Sequence, residues 1–240
     1  MHTVPEKSAP PRWGFAGLRY GVRHTVALLP GTAVFGMAYG TVAAQKGLTF
    51  AEAAAMSVFV FSGSAQLVGL EIWSNPVTVG MILALTAASL VVGLRLVLMG
   101  ASLRPWLGGL PPVKIYPALL LNTDSTWLIA LRYREEGGND PSVLVGAGLA
   151  QWSTWVASSM TGYALGNLIT RPERFGLDLV LPIFFVAMLV PLWTGTRNAM
   201  PWVVAGLVAL IAQYLLSGHW YIVIGALAGA ISGGFIHERE

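Results

Sequence analysis

Eight apolar runs fill most of this 240-residue chain, and they constrain its fold more than any other feature. They cover residues 25–44, 53–73, 77–99, 115–133, 143–169, 177–193, 202–216 and 220–236. A helix needs about 20 apolar residues to cross a bilayer, and most of these runs approach or exceed that length. Only 10% of the residues are charged, whereas about a quarter of a soluble domain is charged. The sequence therefore predicts an all-α fold, a polytopic bundle of transmembrane helices.

The predicted number of membrane segments is seven or eight. The last two runs are short for spanning helices, so they form either two full helices or one helical hairpin. The run at 177–193 contains Pro182 and Pro191, which predict a broken or re-entrant segment. A helix, a polar loop and a helix with glutamine and small residues occur at 25–73 and again at 115–169, which suggests an internal inverted repeat.

Residues 21–236 are expected to form one transmembrane domain, preceded by a tail at 1–20 and followed by a tail at 237–240. The basic residues of the first tail predict that the N-terminus is cytoplasmic. Within the first run, Pro30 predicts a kink, because proline removes a backbone donor and clashes with the preceding turn.

A short polar sequence interrupts the second apolar run near its middle. It reads Phe61-Ser62-Gly63-Ser64-Ala65-Gln66. Glycine and serine at such a place can unwind a helix, and the free N–H groups that start its second half can hold a carboxylate. Broken helices of this kind form many transporter sites. The alternative is close helix packing through small residues, and the residues alone leave both readings open.

Three ionisable residues, Glu71, Arg95 and Asp124, lie within apolar runs. A charge at membrane depth costs roughly 2.5 to 3.5 kcal/mol, so such residues usually face a cavity or each other. Asp124 is the most central of the three, which favours a functional role over a structural salt bridge. For Arg95 the two roles are equally open, and Glu71 is assigned to the membrane interface near a helix end.

Several classes of function are not expected from this sequence. The four histidines lie in tails or at the ends of runs, and there is no cysteine, so no metal site and no cofactor are predicted. We find no phosphate-binding loop and no nucleophile motif, and therefore do not expect an enzyme. The basic residues stand singly at the ends of runs, where they act as orientation signals, so the expected surroundings are a lipid bilayer and not nucleic acid.

Four stretches, taken in order, resemble the large subunit of the AzlC-type branched-chain amino acid permeases of bacteria. They are Phe61-Ser62-Gly63-Ser64-Ala65-Gln66, Gly93-Leu94-Arg95, Asn122-Thr123-Asp124 and Gly176-Leu177-Asp178-Leu179-Val180-Leu181-Pro182. The resemblance implies a bacterial inner-membrane exporter of hydrophobic amino acids that works with a small AzlD-type membrane subunit. The chain departs from the family pattern at Leu67, Gly93 and Ser125, positions that bear on substrate choice and ion coupling.

Together, the polar positions and the resemblance predict a binding site for valine, leucine, isoleucine or methionine. Its residues are Ser62, Gly63, Ser64, Ala65, Gln66, Arg95, Asn122 and Asp124. The substrate carboxylate is expected at the broken helix, and Asp124 is expected to face the ammonium group or to carry a coupling proton. Arg95 either pairs with Asp124 or helps to hold the carboxylate. The alternatives are a non-transporting scaffold or accessory subunit, and a channel for another small solute.

Overall fold

The computed structural model describes residues 13–73, 77–168, 199–216 and 220–237, together with the single positions 186 and 195. Every regular element in these residues is a helix, so the predicted all-α fold is confirmed for them. The apolar run at 177–193 and the family stretch at 176–182 lie outside the described residues, apart from position 186.

The described helices are α1 (Phe15–Thr25), α2 (Leu29–Gln45), α3 (Phe50–Phe59), α4 (Gly63–Ile72), α5 (Val79–Ser102), α6 (Arg104–Leu107), α7 (Pro112–Leu120), α8 (Asp124–Glu135), α9 (Ser142–Leu168), α10 (Met200–Leu215) and α11 (Trp220–His237). Short connections join these helices as far as α9, and residues 169–198 between α9 and α10 lie outside the described residues apart from positions 186 and 195.

The first apolar run belongs to a longer helical unit, Phe15–Gln45, which begins well before the predicted start at residue 25. A 3-10 turn, Val26–Leu28, joins α1 to α2, and Pro30 lies in the first turn of α2. Proline in the first turn of a helix costs no hydrogen bond, so this position suits Pro30, and the kink stays a prediction. An aspartate distant in sequence caps α1. The carboxylate of Asp140 accepts hydrogen bonds from the N–H groups of Gly14 and Gly17, at 3.0 and 2.8 Å.

Within the described residues, two apolar runs form broken helices, and the sequence predicts the break in only one of them. The run at 53–73 divides into α3 and α4, as the polar sequence at 61–66 indicates. The run at 115–133 was predicted to be continuous, but it divides into α7 and α8 around residues 121–123. That prediction was wrong because Thr123 forms a capping box with Thr126 and starts a new helix. Asp124 is therefore the first residue of α8, not the centre of a span.

The long unit α1–α2 lies along α9, and the two backbones approach closely. A Cβ atom on Gly21 would overlap the carbonyl oxygen of Val143, and one on Gly40 would overlap that of Ser159. On the α9 side, a Cβ atom on Gly162 would overlap the carbonyl oxygen of Met37 in α2. Small residues allow membrane helices to pack in this way, so α1, α2 and α9 form a closely packed framework for the remaining helices.

The other helices surround this framework. Helices α3, α4 and α8 contact α9 or α2, whereas α5 packs on α4 and on α11, which pairs with α10. The outward faces of α5 and α10 expose large apolar side chains, among them Leu90, Val97, Leu98 and Leu210. By length and composition, the units Phe15–Gln45 and Val79–Ser102 can cross a membrane, while α3, α10 and α11 are apolar but shorter. The count of seven or eight segments stays a prediction.

The suggested repeat pairs unlike elements. In residues 25–73 the unbroken helix comes first and the broken one second, whereas in residues 115–169 the broken helix comes first. The shared order of polar and apolar residues therefore does not correspond to a shared order of helices.

Candidate functional site

A cavity of about 330 Å³ lies where the two helix breaks meet α2, α5 and α9. Its lining residues are Leu28, Gly31, Thr32, Phe35, Phe61, Ser62, Gly63, Ser64, Arg95, Leu96, Thr123, Asp124, Ser125, Gln151 and Trp155. Residues 28–35 are central in the unit Phe15–Gln45, and Gln151 and Trp155 are central in α9. The cavity therefore lies at the middle depth of the described bundle.

The first break presents an open helix N-terminus to this cavity. Ser62 precedes α4 in an extended conformation (φ −148°, ψ 97°), and its side chain does not cap the helix. The first N–H groups of a helix have no partner within it, and they carry the positive end of the helix dipole. Because Gly63 and Ser64 line the cavity, this N-terminus offers backbone donors to an anion.

Gly63 lets the helix start lie against an aromatic ring. A Cβ atom at this position would be 2.8 Å from Cη2 of Trp155, which is shorter than an ordinary van der Waals contact. Trp155 is only 7% exposed and packs beside Tyr39, with ring centroids 6.0 Å apart. The ring therefore fixes the position of the α4 N-terminus and forms one wall of the cavity.

Arg95 connects α5 to both broken helices. Its Nη2 donates a hydrogen bond to Oγ of Ser64 at 3.0 Å, and it lies 3.2 Å from Oδ2 of Asp124. The side chains of Arg95 and Asp124 are 38% and 49% exposed, and both line the cavity. Of the two roles left open for Arg95, the structure shows the pairing with Asp124.

The second break differs from the first because the side chain of its own Thr123 caps the N-terminus of the helix that follows. The hydroxyl of Thr123 accepts the N–H of Thr126 at 3.3 Å and donates to Oε1 of Gln151 at 2.8 Å. The first residue of α8 is the carboxylate Asp124. One side of the cavity thus presents free donors and an arginine, and the other presents a capped helix that begins with a negative charge.

Three of the eight predicted site residues do not line the cavity. Gln66 is fully buried, and its Nε2 donates to the carbonyl oxygen of Met56 at the end of α3. Asn122 is 3% exposed and its Oδ1 accepts the hydroxyl proton of Thr126, while Ala65 is 8% exposed. The structure therefore brings together Ser62, Gly63, Ser64, Arg95 and Asp124, and places the other three behind them.

Residues 27–169 match the protein family described as AzlC protein. The chain belongs to the AzlC family. The match includes both helix breaks and every residue that lines the cavity. Two curated relatives from Helicobacter pylori, strains ATCC 700392 / 26695 and J99 / ATCC 700824, are each named uncharacterized membrane protein. They are 23% and 22% identical over 205 residues, which cover 85% of this chain and 87% of each relative. No solved structure matches the chain.

The predicted site lacks several cavity residues of this AzlC protein, although the depth of Trp155 in its apolar run left open whether it lines a pocket or packs. Gln151 and Trp155 lie four positions apart, so they share one face of α9, and a polar residue within an apolar run is a usable signal for that face. Thr123 and Ser125 adjoin predicted residues. The apolar wall gave no signal, because the chain is apolar throughout. The residues of this apolar wall are Leu28, Phe35, Phe61, Leu96 and Trp155.

Proposed function

We propose that this AzlC-family protein exports branched-chain or other hydrophobic amino acids across the bacterial inner membrane. It acts by alternating access, together with a small AzlD-type membrane subunit, and carries no catalytic residues. Family membership supports a role in membrane transport, and the single observation that favours this substrate class is the Arg95–Asp124 pair at the open start of α4. The pair supplies one charge of each sign in a cavity that is otherwise largely apolar.

An α-amino acid matches this arrangement because it carries a carboxylate and an ammonium group a few ångströms apart. In the proposed complex, the carboxylate binds the N–H groups at Gly63 and Ser64 and the guanidinium of Arg95. The ammonium group faces Asp124. Binding exchanges the existing ion pair for two new ones, each of which is worth about 4 kcal/mol of Coulomb energy at 4 Å in a medium of intermediate polarity. A solute with a single charge forms one new pair and breaks the existing one, so it gains no ion pair and leaves one charge of the cavity unpaired.

The remaining walls of the cavity suit an aliphatic side chain. Leu28, Phe35, Phe61 and Leu96 supply apolar contacts, and only Arg95 and Asp124 are charged among the described lining residues. The volume of about 330 Å³ lies at the lower end of the range of small-molecule sites, roughly 300 to 1,000 Å³. The cavity therefore favours a small hydrophobic amino acid over a larger or more polar solute.

The two half-helices that meet at the ion pair offer a mechanism for alternating access and ion coupling. Arg95 bonds Ser64 of α4 and pairs with Asp124 of α8, so it ties the two broken helices together. Substrate binding, or protonation of Asp124, removes this tie and allows the halves to separate. Discontinuous helices act in this way in many transporters, with the binding site at the bilayer midplane.

The charges at the ends of the bundle support a cytoplasmic N-terminus. Asp140 contacts the start of α1, Lys114 lies over the ring of Trp13, and Trp106 bonds Asn139, so these segments share one end. Its basic residues are Arg19, Arg23, Arg104, Lys114, Arg132 and Arg134. Among the described residues, the opposite end carries Lys46, which pairs with Glu71. Cytoplasmic ends of membrane proteins are enriched in lysine and arginine.

The test is efflux of labelled valine and methionine from preloaded cells that lack their own exporters. The chain is expressed alone and with an AzlD-type subunit, and we expect faster, saturable efflux when both are present. Asp124→Asn should abolish this efflux while the protein remains inserted. Glu71→Gln is the matched control, because it also breaks a half-exposed ion pair but lies outside the cavity. Efflux that rises linearly with substrate would indicate a channel, and normal efflux by Asp124→Asn would contradict the assigned site.

A further inference from the structure

Two arginines lie one helical turn apart on the outer face of α1. Arg19 and Arg23 are exposed, whereas Gly17, Gly21 and Thr25 of the same helix are buried, the glycines against the segment 140–147 at the start of α9. Side chains four positions apart on a helix have Cβ atoms about 5 to 6 Å apart. The two guanidinium groups can therefore bind the same anion.

Neither arginine forms an ion pair with the described part of the chain. In that part of the chain, two acidic residues contact this end of α1, and both are engaged: Asp140 accepts the N–H groups of Gly14 and Gly17, and Glu136 contacts Tyr20. Glu136 accepts the hydroxyl proton of Tyr20 at 2.6 Å and a hydrogen bond from Nε of Arg132 at 3.1 Å. The ring of Tyr20 stacks on His24, with centroids 3.7 Å apart, and this stack borders the arginines. Among the described residues, the surface thus has two positive charges without an ion-pair partner.

The position of the arginines along the helix points to a lipid. They lie near the start of the long apolar unit Phe15–Gln45, at the end of the bundle where the other basic residues collect. Beyond Arg23 the outer face continues with exposed apolar side chains, among them Val26 at 55% and Val34 at 59%. A molecule with an anionic head and apolar chains matches this order of charge followed by hydrocarbon.

We infer that the outer face of α1 binds the phosphate of an anionic phospholipid. Arg19 and Arg23 hold the phosphate, for which the planar guanidinium is well suited because it donates two parallel hydrogen bonds. One acyl chain of the lipid lies along Val22 and Val26, both of which are exposed. This site is separate from the cavity between the broken helices and does not depend on the proposed transport function.

The test measures lipid binding to the purified full chain by native mass spectrometry and by the shift in melting temperature. Phosphatidylglycerol, phosphatidylcholine and inorganic phosphate are compared at equal concentration. We expect phosphatidylglycerol to bind and stabilise, and the double variant R19Q/R23Q to bind it more weakly by about fivefold per arginine, roughly 30-fold in total. The double variant R19K/R23K keeps both charges but cannot donate two parallel hydrogen bonds from one side chain, so its affinity should lie between those of R19Q/R23Q and the unchanged protein.

Arg104→Gln is the matched control, because Arg104 is exposed at the same end of the bundle but lies away from the outer face of α1. Its affinity for phosphatidylglycerol should equal that of the unchanged protein. Equal binding by R19Q/R23Q and the unchanged protein would overturn the inference, as would an equal loss in Arg104→Gln. If phosphatidylcholine bound as tightly as phosphatidylglycerol, the negative charge of the lipid would not contribute to binding. If inorganic phosphate bound as tightly, the acyl chains would not contribute. Either result would overturn the inference.

Discussion

Arg95 and Asp124 form an ion pair at 3.2 Å, although 29 positions separate them along the chain. The pair joins the middle of α5 to the first residue of α8, and a hydrogen bond from Arg95 to Ser64 extends the connection to α4. Three helices therefore meet at one guanidinium group, on the surface of the cavity. Three consequences of this site and its supports, and two of the connection at residues 136–141, can be measured.

Replacing one partner of the pair should cost more stability than replacing both. Arg95→Gln leaves Asp124 charged without a partner, which should lower the free energy of unfolding by about 1 to 2 kcal/mol, less than the 3 to 5 kcal/mol of a fully buried pair. The double variant R95Q/D124N removes both charges and should recover most of the melting temperature. Neither variant should transport amino acids. A double variant no more stable than Arg95→Gln would show that the two charges do not interact.

Gly63→Ala should disturb the cavity, because the new methyl group would lie 2.8 Å from the Trp155 ring. Overpacking of this kind costs about 1 to 3 kcal/mol, so we expect a lower melting temperature and slower efflux. Gly80→Ala in α5 is the control, since a Cβ atom there has open space and alanine favours a helix. Equal melting temperatures for Gly63→Ala and the unchanged protein would mean that the ring moves freely.

Gln66 should act as a support for the helix break rather than as a ligand for the substrate. Its amide bonds the carbonyl oxygen of Met56, and Nε1 of Trp152 bonds that of Val58 at 3.1 Å, so both satisfy the end of α3. Gln66→Ala should therefore lower stability and maximal efflux but leave the KM for valine unchanged. Ser64→Ala, at the cavity surface, should raise that KM. A large rise in the KM of Gln66→Ala for valine would instead indicate that the Gln66 side chain contacts the substrate.

Asp140 should stabilise the start of α1 from a distance. Its carboxylate accepts the N–H groups of Gly14, Gly17 and Ser142, and it is 8% exposed. Loss of a helix cap costs about 1 kcal/mol, and donors left buried without a partner add to this, so Asp140→Ala should cost about 2 kcal/mol. Glu135→Ala, at the exposed last residue of α8, should cost little. Thermal unfolding of both variants measures the difference.

The contribution of Glu136 to stability should depend on pH. The hydrogen bond from Tyr20, followed by that from Arg132, lowers the pKa of the Glu136 carboxyl below its ordinary value of 4.5. A carboxyl whose pKa is lower in the folded state stabilises the fold above its unfolded pKa and loses this effect as the pH falls through the folded pKa. The melting temperature of Tyr20→Phe should therefore be below that of the unchanged protein at pH 7. The gap should narrow below pH 4, and a constant gap would exclude this linkage.

Local signals in the sequence determined much of the fold. Apolar composition predicts the all-α architecture, and Thr49 with Glu52 forms the capping box that their spacing indicates at the start of α3. Glycine and serine at 62–64 mark the first helix break, because they are weak helix formers within a run of strong ones. Each of these signals acts within a few residues of its own position, so one sequence suffices to read it.

Only the tertiary structure decided which polar groups face the cavity. Gln66 and Gln151 are both glutamines in apolar runs, but packing turns the first toward Met56 and places the second beside Thr123 at the cavity wall. The same is true of the second break, where Thr123 and Asp124 read equally well as the centre of a span or as the start of a helix. The orientation of a polar side chain and the start of a helix depend on the hydrogen-bond partners that neighbouring helices place within about 3 Å. A linear sequence does not contain those distances.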